Sequence, residues 1–216
     1  MYLSRVEIDT KNRQKMKDLT NLRAFHGWVE QSFPKEIAKG ERLRHLWRID
    51  ILQGHSYLLL LSPDRPDLNR LSKYGIAGTA EAKSYEEALN GLGLGQIRPF
   101  RLTANAVYRD RKTGGLVPYT SISDMEQWLL SRAERLGFEA TGSPTGSLNV
   151  MISDHHSEPL RHGKRTMPIS MTSYEGVLKI TDVAKFKKAL VEGVGRERAY
   201  GCGLLTVMPE VNQIID

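Results

Sequence analysis

The sequence predicts an α+β protein made of two tandem ferredoxin-like (RRM-like) domains, with a basic β-hairpin in the second. Three observations predict it. Strand and helix periodicities follow the order β-α-β-β-α-β over residues 1–90, and a comparable order returns over residues 96–216. The glycine-rich run GLGLG, with Gly91, Gly93 and Gly95, separates the two sets as a linker. The segment Arg161-His162-Gly163-Lys164-Arg165 stands between two strand-like runs, as the tip of a basic hairpin does.

The first unit opens on an alternating segment from Met1 to Asp9, with Leu3, Val6 and Ile8 marking a strand. A polar, basic stretch follows from Thr10 to Thr20. Leu22, Phe25, Val29 and Phe33 then recur at helical spacing behind Asn21, a good N-cap, and Pro34 and Gly40 end that helix. Leu43 to Leu52 reads as a strand with Trp47, Ile49 and Ile51 on one face. Gln53-Gly54-His55-Ser56 is a hairpin turn, and Tyr57 to Leu61 is the returning strand. Leu68 and Leu71 suggest a short helix, and Tyr74 to Lys83 a last strand.

In the second unit Gln96 to Val107 is strand-like, and Arg111-Lys112-Thr113-Gly114-Gly115 is a turn. Ser123 caps a helix running to Leu136, with Met125, Trp128, Leu129 and Leu136 as its apolar stripe. Leu148 to Ile152, Met167 to Met171 and Gly176 to Ile180 are strands. Asp182 starts a helix through Val191, and Leu204 to Met208 is the final strand.

Charge bounds the function. Lys and Arg number 31 against 25 Asp and Glu, a net +6 over 216 residues, which makes anionic polymers the first class of partner to consider. Cys202 is the single cysteine, so no intramolecular disulfide forms, which suits a reducing compartment such as the cytoplasm. The longest apolar run, Tyr57 to Leu61, falls far short of the ~20 residues that span a bilayer. The chain offers no HExxH or CxxC motif and no cluster of Asp and Glu, so neither a metal site nor a cofactor is expected.

His26 lies near the start of the first long helix, one step off the face that carries Phe25 and Val29. A histidine there can act as acid or base, and a helix N-terminus attracts phosphate; position alone favours an ordinary surface histidine. His45 falls within a strand and reads as structural, and His55 sits in a hairpin turn. The basic segment holding Arg161, Lys164 and Arg165 is either a solvated turn or a ribbon for phosphates. Arg98, Arg101, Arg109, Arg111 and Lys112 form a second basic cluster, in which a regular strand would put Arg101 and Arg109 on one face. In GVGRERAYGCGLL, Gly193 to Leu205, four glycines mixed with Arg196 and Arg198 could let backbone approach a phosphate chain. That stretch follows a helix and precedes a strand, the reverse of a dinucleotide fingerprint, and it lacks the GK[ST] ending of a P-loop.

Several of these stretches together resemble the CasE family, the CRISPR RNA-processing endoribonuclease of type I-E Cascade. They are MYLSRV at Met1–Val6, the helix-borne His26, FRLTANAV at Phe100–Val107, YEGVLKITD at Tyr174–Asp182 and GVGRERAYGCGLLT at Gly193–Thr206. The resemblance spans essentially the whole chain, and its last motif is the most specific. It implies tandem ferredoxin-like domains that grip the repeat hairpin of CRISPR precursor RNA and cut at its 3′ base without metal, within the Cascade assembly. It implies that His26 is catalytic and that the basic hairpin carries Arg161, Lys164 and Arg165. Some members have a tyrosine three residues before the histidine; this chain has Arg23 there, which would instead stabilise charge on the phosphate. The chemistry implied is attack by the ribose 2′-OH, with His26 as general base or general acid. The alternative is a non-catalytic RNA-hairpin-binding subunit, and His26 is the residue that separates the two.

Overall fold

The computed structural model describes residues 1–140, 150–162 and 165–209, with residues 161, 162, 165 and 166 described by backbone alone. In the first unit, β1 (Tyr2–Glu7) leads through α1 (Arg13–Asp18), α2 (Leu22–Gln31) and α3 (Pro34–Lys39) to the β2 (Leu46–Leu52) and β3 (His55–Ser62) hairpin. A short α4 (Leu68–Leu71) then leads to β4 (Glu81–Ser84) and α5 (Glu86–Asn90). The four strands form an antiparallel sheet in the order β2-β3-β1-β4, the ferredoxin-like order. Gln53 and Gly54 alone make the β2–β3 turn, both with positive φ (52° and 81°); His55 and Ser56 already belong to β3.

The second unit runs β5 (Ile97–Ala104), the small hairpin β6 (Val107–Arg109) and β7 (Leu116–Pro118), α6 (Ile122–Leu136), β8 (Phe138–Ala140), β9 (Val150–His162), β10 (Arg165–Ile180), α7 (Val183–Glu192) and β11 (Leu205–Val207). Its sheet order is β11-β5-β10-β8, with β9 also pairing β10. β8 covers the C-terminal end of β10 and β9 the rest, so together they fill one strand position and restore the ferredoxin-like order.

The structure redraws several sequence boundaries. The two strands expected over Met167–Met171 and Gly176–Ile180 are one 16-residue strand, because Thr172 to Glu175 continue the β pairing through a register shift at Ser173/Tyr174. The cap of α6 is Ser121, not Ser123. Ser121 Oγ accepts from the Asp124 amide (3.1 Å), a side-chain N-cap, and donates to the Asp124 carboxylate (2.6 Å). The expected long strand at Gln96–Val107 breaks after Ala104, so Arg101 and Arg109 lie in separate strands and share no face.

The two units interlock. Leu46 and Leu61 of the first unit pack in the second unit's core, while Leu160, Ile169, Met171 and Cys202 of the second pack in the first's. Arg48 pins the seam. Its guanidinium pairs with Asp50 (2.7 and 2.9 Å) and donates to the carbonyls of Arg101 (3.1 Å) and Leu204 (2.8 Å) on β5 and beside β11. The Trp47 indole N–H likewise reaches the Ala199 carbonyl at 2.9 Å. The same docking brings the glycine-rich loop after α7 against α2, where Tyr200 meets His26.

Candidate active site

Helix α2 forms because Asn21 caps it, its side chain accepting from the amides of Arg23 (3.0 Å) and Ala24 (3.2 Å). Leu22, Trp28 and Val29 are buried on one side, and the half-buried Phe25 stacks on Trp47 at 5.9 Å. That packing fixes the helix about its axis and turns His26, Gly27 and Glu30 toward an open cleft of about 750 Å³. The cleft's other walls are Ile37 and Gly40, the loop from Glu41 to His45, and Arg198 with Ala199. His26 is the fifth residue of α2, one turn beyond the capped end, so the helix N-terminus does not bear on its ring.

His26 keeps 32% of its side chain exposed. Its Nδ1 lies 3.9 Å from Glu30 Oε1, and its ring meets the edge of Tyr200 at 5.6 Å, from the glycine-rich loop. Glu30 Oε1 is shared with His45, whose Nδ1 stands 2.8 Å away. The other nitrogen of His45 faces Glu36, 3.2 Å from Oε2.

Electrostatics lower the proton affinity of His26. Burial is the largest cause, opposed by the Glu30 carboxylate and reinforced by His45, Arg42 and Arg23. A neutral imidazole at neutral pH follows, ready to accept a proton. Glu30 feels burial most, which pushes its carboxyl up. The His45 hydrogen bond and the charges of His45, His26 and Arg42 outweigh that and hold it below the ordinary carboxylate range. Arg198 is held below its ordinary value by burial and by Arg44, and both guanidiniums donate to the Glu192 carbonyl (2.7 and 3.2 Å). The cleft therefore combines a titratable imidazole with arginine side chains, the equipment that proton transfer at a phosphodiester requires.

The other cations named from the sequence fall into different settings. Arg23 lies one turn before His26 on α2, and its charge reaches that ring. Arg98 is tied to Gln96 Oε1 (2.9 Å) and to the carbonyls of Gly91 and Met208, where it ties the linker to the end of β11. Arg101 bridges Asp50 (3.4 Å) and Glu175 (3.5 Å) at the seam. Arg109, Arg111 and Lys112 belong to the exposed β6–β7 hairpin, with Asp110 holding its turn through the amides of Lys112 and Thr113. Lys164 lies outside the described residues. Arg161 and Arg165 are placed by backbone on the paired ends of β9 and β10. Arg196 lines a second pocket, of about 530 Å³, with Arg109, Arg132, Arg135, Tyr108 and Tyr119.

The four glycines of the loop have a packing role. Gly193, Gly195, Gly201 and Gly203 all have positive φ, and a Cβ on Gly201 would press Trp47 at 3.0 Å. Cys202 beside it is fully buried, and burial, with the Glu197 charge, pushes its thiol up to about 12, far from thiolate chemistry.

Sequence reasoning missed Glu30, Glu36, His45, Arg42, Arg44 and Tyr200 around His26, and Arg132 and Arg135 in the second pocket. Only the His26/Glu30 spacing of four residues on one helix carried a signal. The rest converge from separate elements.

Comparison with known proteins decides the family. A family model described as "CRISPR associated protein" matches residues 1–209. The chain belongs to that family. Among relatives, the CRISPR-associated endoribonuclease Cse3 of Thermus thermophilus is 27% identical, over 97% of this chain and all of the relative. A Cse3 bound to a 19-nucleotide RNA superposes with a TM-score of 0.81 at 27% identity, covering 97% of this chain and all of that one. T. thermophilus Cse3 bound to an RNA representing a pre-cleavage complex gives 0.80 at 26% identity, covering 96% and 98%. Escherichia coli Cas6e shares the fold at 23% identity and TM-score 0.59, covering 97% of this chain and all of that one. The CasE resemblance in the sequence and its tandem ferredoxin-like fold are thereby shown.

Proposed function

We propose that this chain is a metal-independent endoribonuclease that cleaves CRISPR precursor RNA at the 3′ base of the repeat hairpin. Its ends would be a 2′,3′-cyclic phosphate and a 5′-OH, and it would work with the other subunits of type I-E Cascade, in the cytoplasm. The observation that carries the reading is His26, a titratable imidazole in an arginine-walled cleft, in a chain that matches an endoribonuclease along its length. The domains at residues 1–90 and 96–216 divide the work. The first supplies the imidazole, and the second supplies the basic hairpin and the glycine-rich loop that brings Tyr200 and Arg198 to it.

The reaction asks for little. The 2′-oxygen attacks the adjacent phosphorus, the P–O5′ bond breaks, and one proton leaves the 2′-OH while one reaches the 5′-oxygen. The nucleophile is already part of the substrate, so alignment and charge stabilisation provide much of the rate. His26 moves a proton, and Arg198, Arg42 or Arg23 stabilises charge on the phosphate. Most of the RNA-binding residues would hold the duplex backbone: Arg109, Arg111, Lys112, Arg161, Lys164, Arg165 and Arg196. They would still hold it once the downstream strand is released, which keeps the hairpin bound.

His26→Ala tests the reading. It should slow cleavage by ~10²–10⁴-fold and leave hairpin affinity nearly intact. Wild-type cleavage should persist in EDTA and stop when a 2′-deoxy sugar precedes the cut. Cleavage of the deoxy strand at full rate would make water the nucleophile and end this mechanism. Cleavage by His26→Ala at the wild-type rate would favour a site elsewhere.

A further inference from the structure

We propose that Glu30 is a positioning residue for His26, and that His45 and Glu36 hold Glu30 in place to do it. The inference rests on the reading of His26 above. The four groups form a continuous row: His26 Nδ1 to Glu30 Oε1 at 3.9 Å, Glu30 Oε1 to His45 Nδ1 at 2.8 Å, and His45 Nε2 to Glu36 Oε2 at 3.2 Å. His45 also stacks flat on Phe33, with ring centroids 3.9 Å apart and planes 8° apart. Its side chain is 2% exposed and that of Glu36 4%. Two ionisable groups buried together are an expensive way to fill space, since an apolar pair of the same volume packs with less desolvation. The row gains a purpose at its open end, where Glu30 meets His26 in the cleft.

The chemistry follows from which nitrogen faces the carboxylate. A carboxylate beside Nδ1 favours the tautomer with its proton there, leaving the Nε2 lone pair for the RNA. It also stabilises the imidazolium once Nε2 has gained a proton. This is the role an aspartate plays beside the histidine of a Ser-His-Asp triad. At 3.9 Å the pair acts through charge rather than a hydrogen bond, and contacts of this kind tighten when substrate closes a site. In the reaction, the 2′-OH proton passes to Nε2 as the 2′-O–P bond forms. The 5′-oxygen, as the P–O5′ bond breaks, takes a proton from the imidazolium or from water.

The surroundings make Glu30 the group to test. Arg23 on the same helix, Arg42 and His45 from the loop entering β2, and burial all oppose a proton on His26; the Glu30 carboxylate alone among these favours it. Arg198, Arg44 and Glu41 lie on the same cleft wall, and Tyr200 offers a ring edge. Neutralising Glu30 therefore leaves the cations unopposed, and the inflection of His26 must move to lower pH whether it acts as base or acid.

The experiment is single-turnover cleavage of the repeat hairpin by the full chain between pH 5 and 9. Wild type, Glu30→Gln, Glu30→Asp and His26→Ala are compared, with the dissociation constant of a 2′-deoxy hairpin measured for each. Glu30→Gln should cleave roughly ten- to a hundred-fold more slowly at unchanged affinity, with its inflection at lower pH. Glu30→Asp should restore the inflection toward the wild-type position. A slower Glu30→Gln whose inflection stays put would mean Glu30 only packs α2, and the proposal would fail. His26→Ala cutting at the wild-type rate would instead sink the reading of the site. Nitrogen NMR of His26 in the wild-type complex decides independently of any variant. A proton on Nδ1 with Nε2 bare is expected, and the opposite tautomer overturns the proposal.

Discussion

Two sets of arginines show how differently the same side chain is used. Arg48 and Arg101 lie at the seam between the units. Arg48 is buried and holds Asp50 in a two-pronged pair, and Arg101 reaches Asp50 and Glu175. Arg109, Arg132, Arg135 and Arg196 line an open pocket whose walls include no carboxylate, and no ion pair joins any of them to one among the described residues. Arg132 lies over the Trp128 ring at 4.3 Å, and burial and then the Arg135 charge hold it below its ordinary value. Paired arginines have their charge satisfied inside the protein. Crowded ones without a carboxylate repel each other until an anion arrives, and a phosphate bound there would release counterions. Position in the sequence does not separate the sets, since Arg101 and Arg109 are eight residues apart.

The largest effect expected from this contrast is on stability. Arg48→Met leaves Asp50 without its bidentate partner and empties two carbonyl bonds and one to Thr206 Oγ1 (3.0 Å). Breaking a buried pair from one side typically costs ~3–5 kcal/mol. Denaturant unfolding should show a loss of that order, with the folded fraction still binding hairpin RNA. A loss below about 1 kcal/mol would mean that the seam does not depend on Arg48. The next effect is on binding. Replacing Arg109, Arg135 and Arg196 together by alanine should weaken the RNA complex by roughly ten-fold or more at ~0.15 M salt. The slope of log affinity against log salt should flatten by ~0.9 for each phosphate left without its cation. An unchanged slope would move the RNA to another face.

Most of the fold is legible in the sequence. The β-α-β-β-α-β order, the Asn21 and Asp182 caps and a second-unit hairpin paired out to His162 and Arg165 are local signals, and the structure keeps them. What escapes is short or non-local. Helix α1 buries no residue, so no apolar stripe announces it, and α5 has five residues. Strand β8 has three residues and exists because the end of β10 offers it a partner. The site divides in the same way. His26 is legible because the resemblance points to it. Its neighbour His45, some twenty residues on, reads as structural because burial between Glu30 and Glu36 depends on three elements meeting. Arg98 and Arg101 read alike because sequence shows charge and not the partners each meets, the Gln96 side chain and two backbone carbonyls for Arg98 and two carboxylates for Arg101.

The smallest expected effect tests that last point most sharply. Sequence alone groups Arg101 with Arg109, yet its surroundings argue that it gives RNA little. It is 30% exposed, its guanidinium lies between two carboxylates, and its Nε is buried without a hydrogen bond, the 3.4 Å approach to Asp50 being an ion pair only. To contact a phosphate it would have to leave both acids, and Asp50 would remain buried against Arg48. Arg101→Gln should therefore change RNA affinity by less than about three-fold, because no counterion is released where a carboxylate already stands. Stability should fall by about 1 kcal/mol, the range of a partly exposed pair. The measurement is the salt dependence of hairpin binding, run beside the triple variant of the open pocket. Parallel slopes for Arg101→Gln and wild type would support the division between paired and unpaired arginines. A slope flatter by about one for Arg101→Gln alone would show that it turns toward phosphate when RNA binds. The seam would then be part of the RNA surface, and ion pairing in the unbound protein would no longer predict which cations the RNA uses.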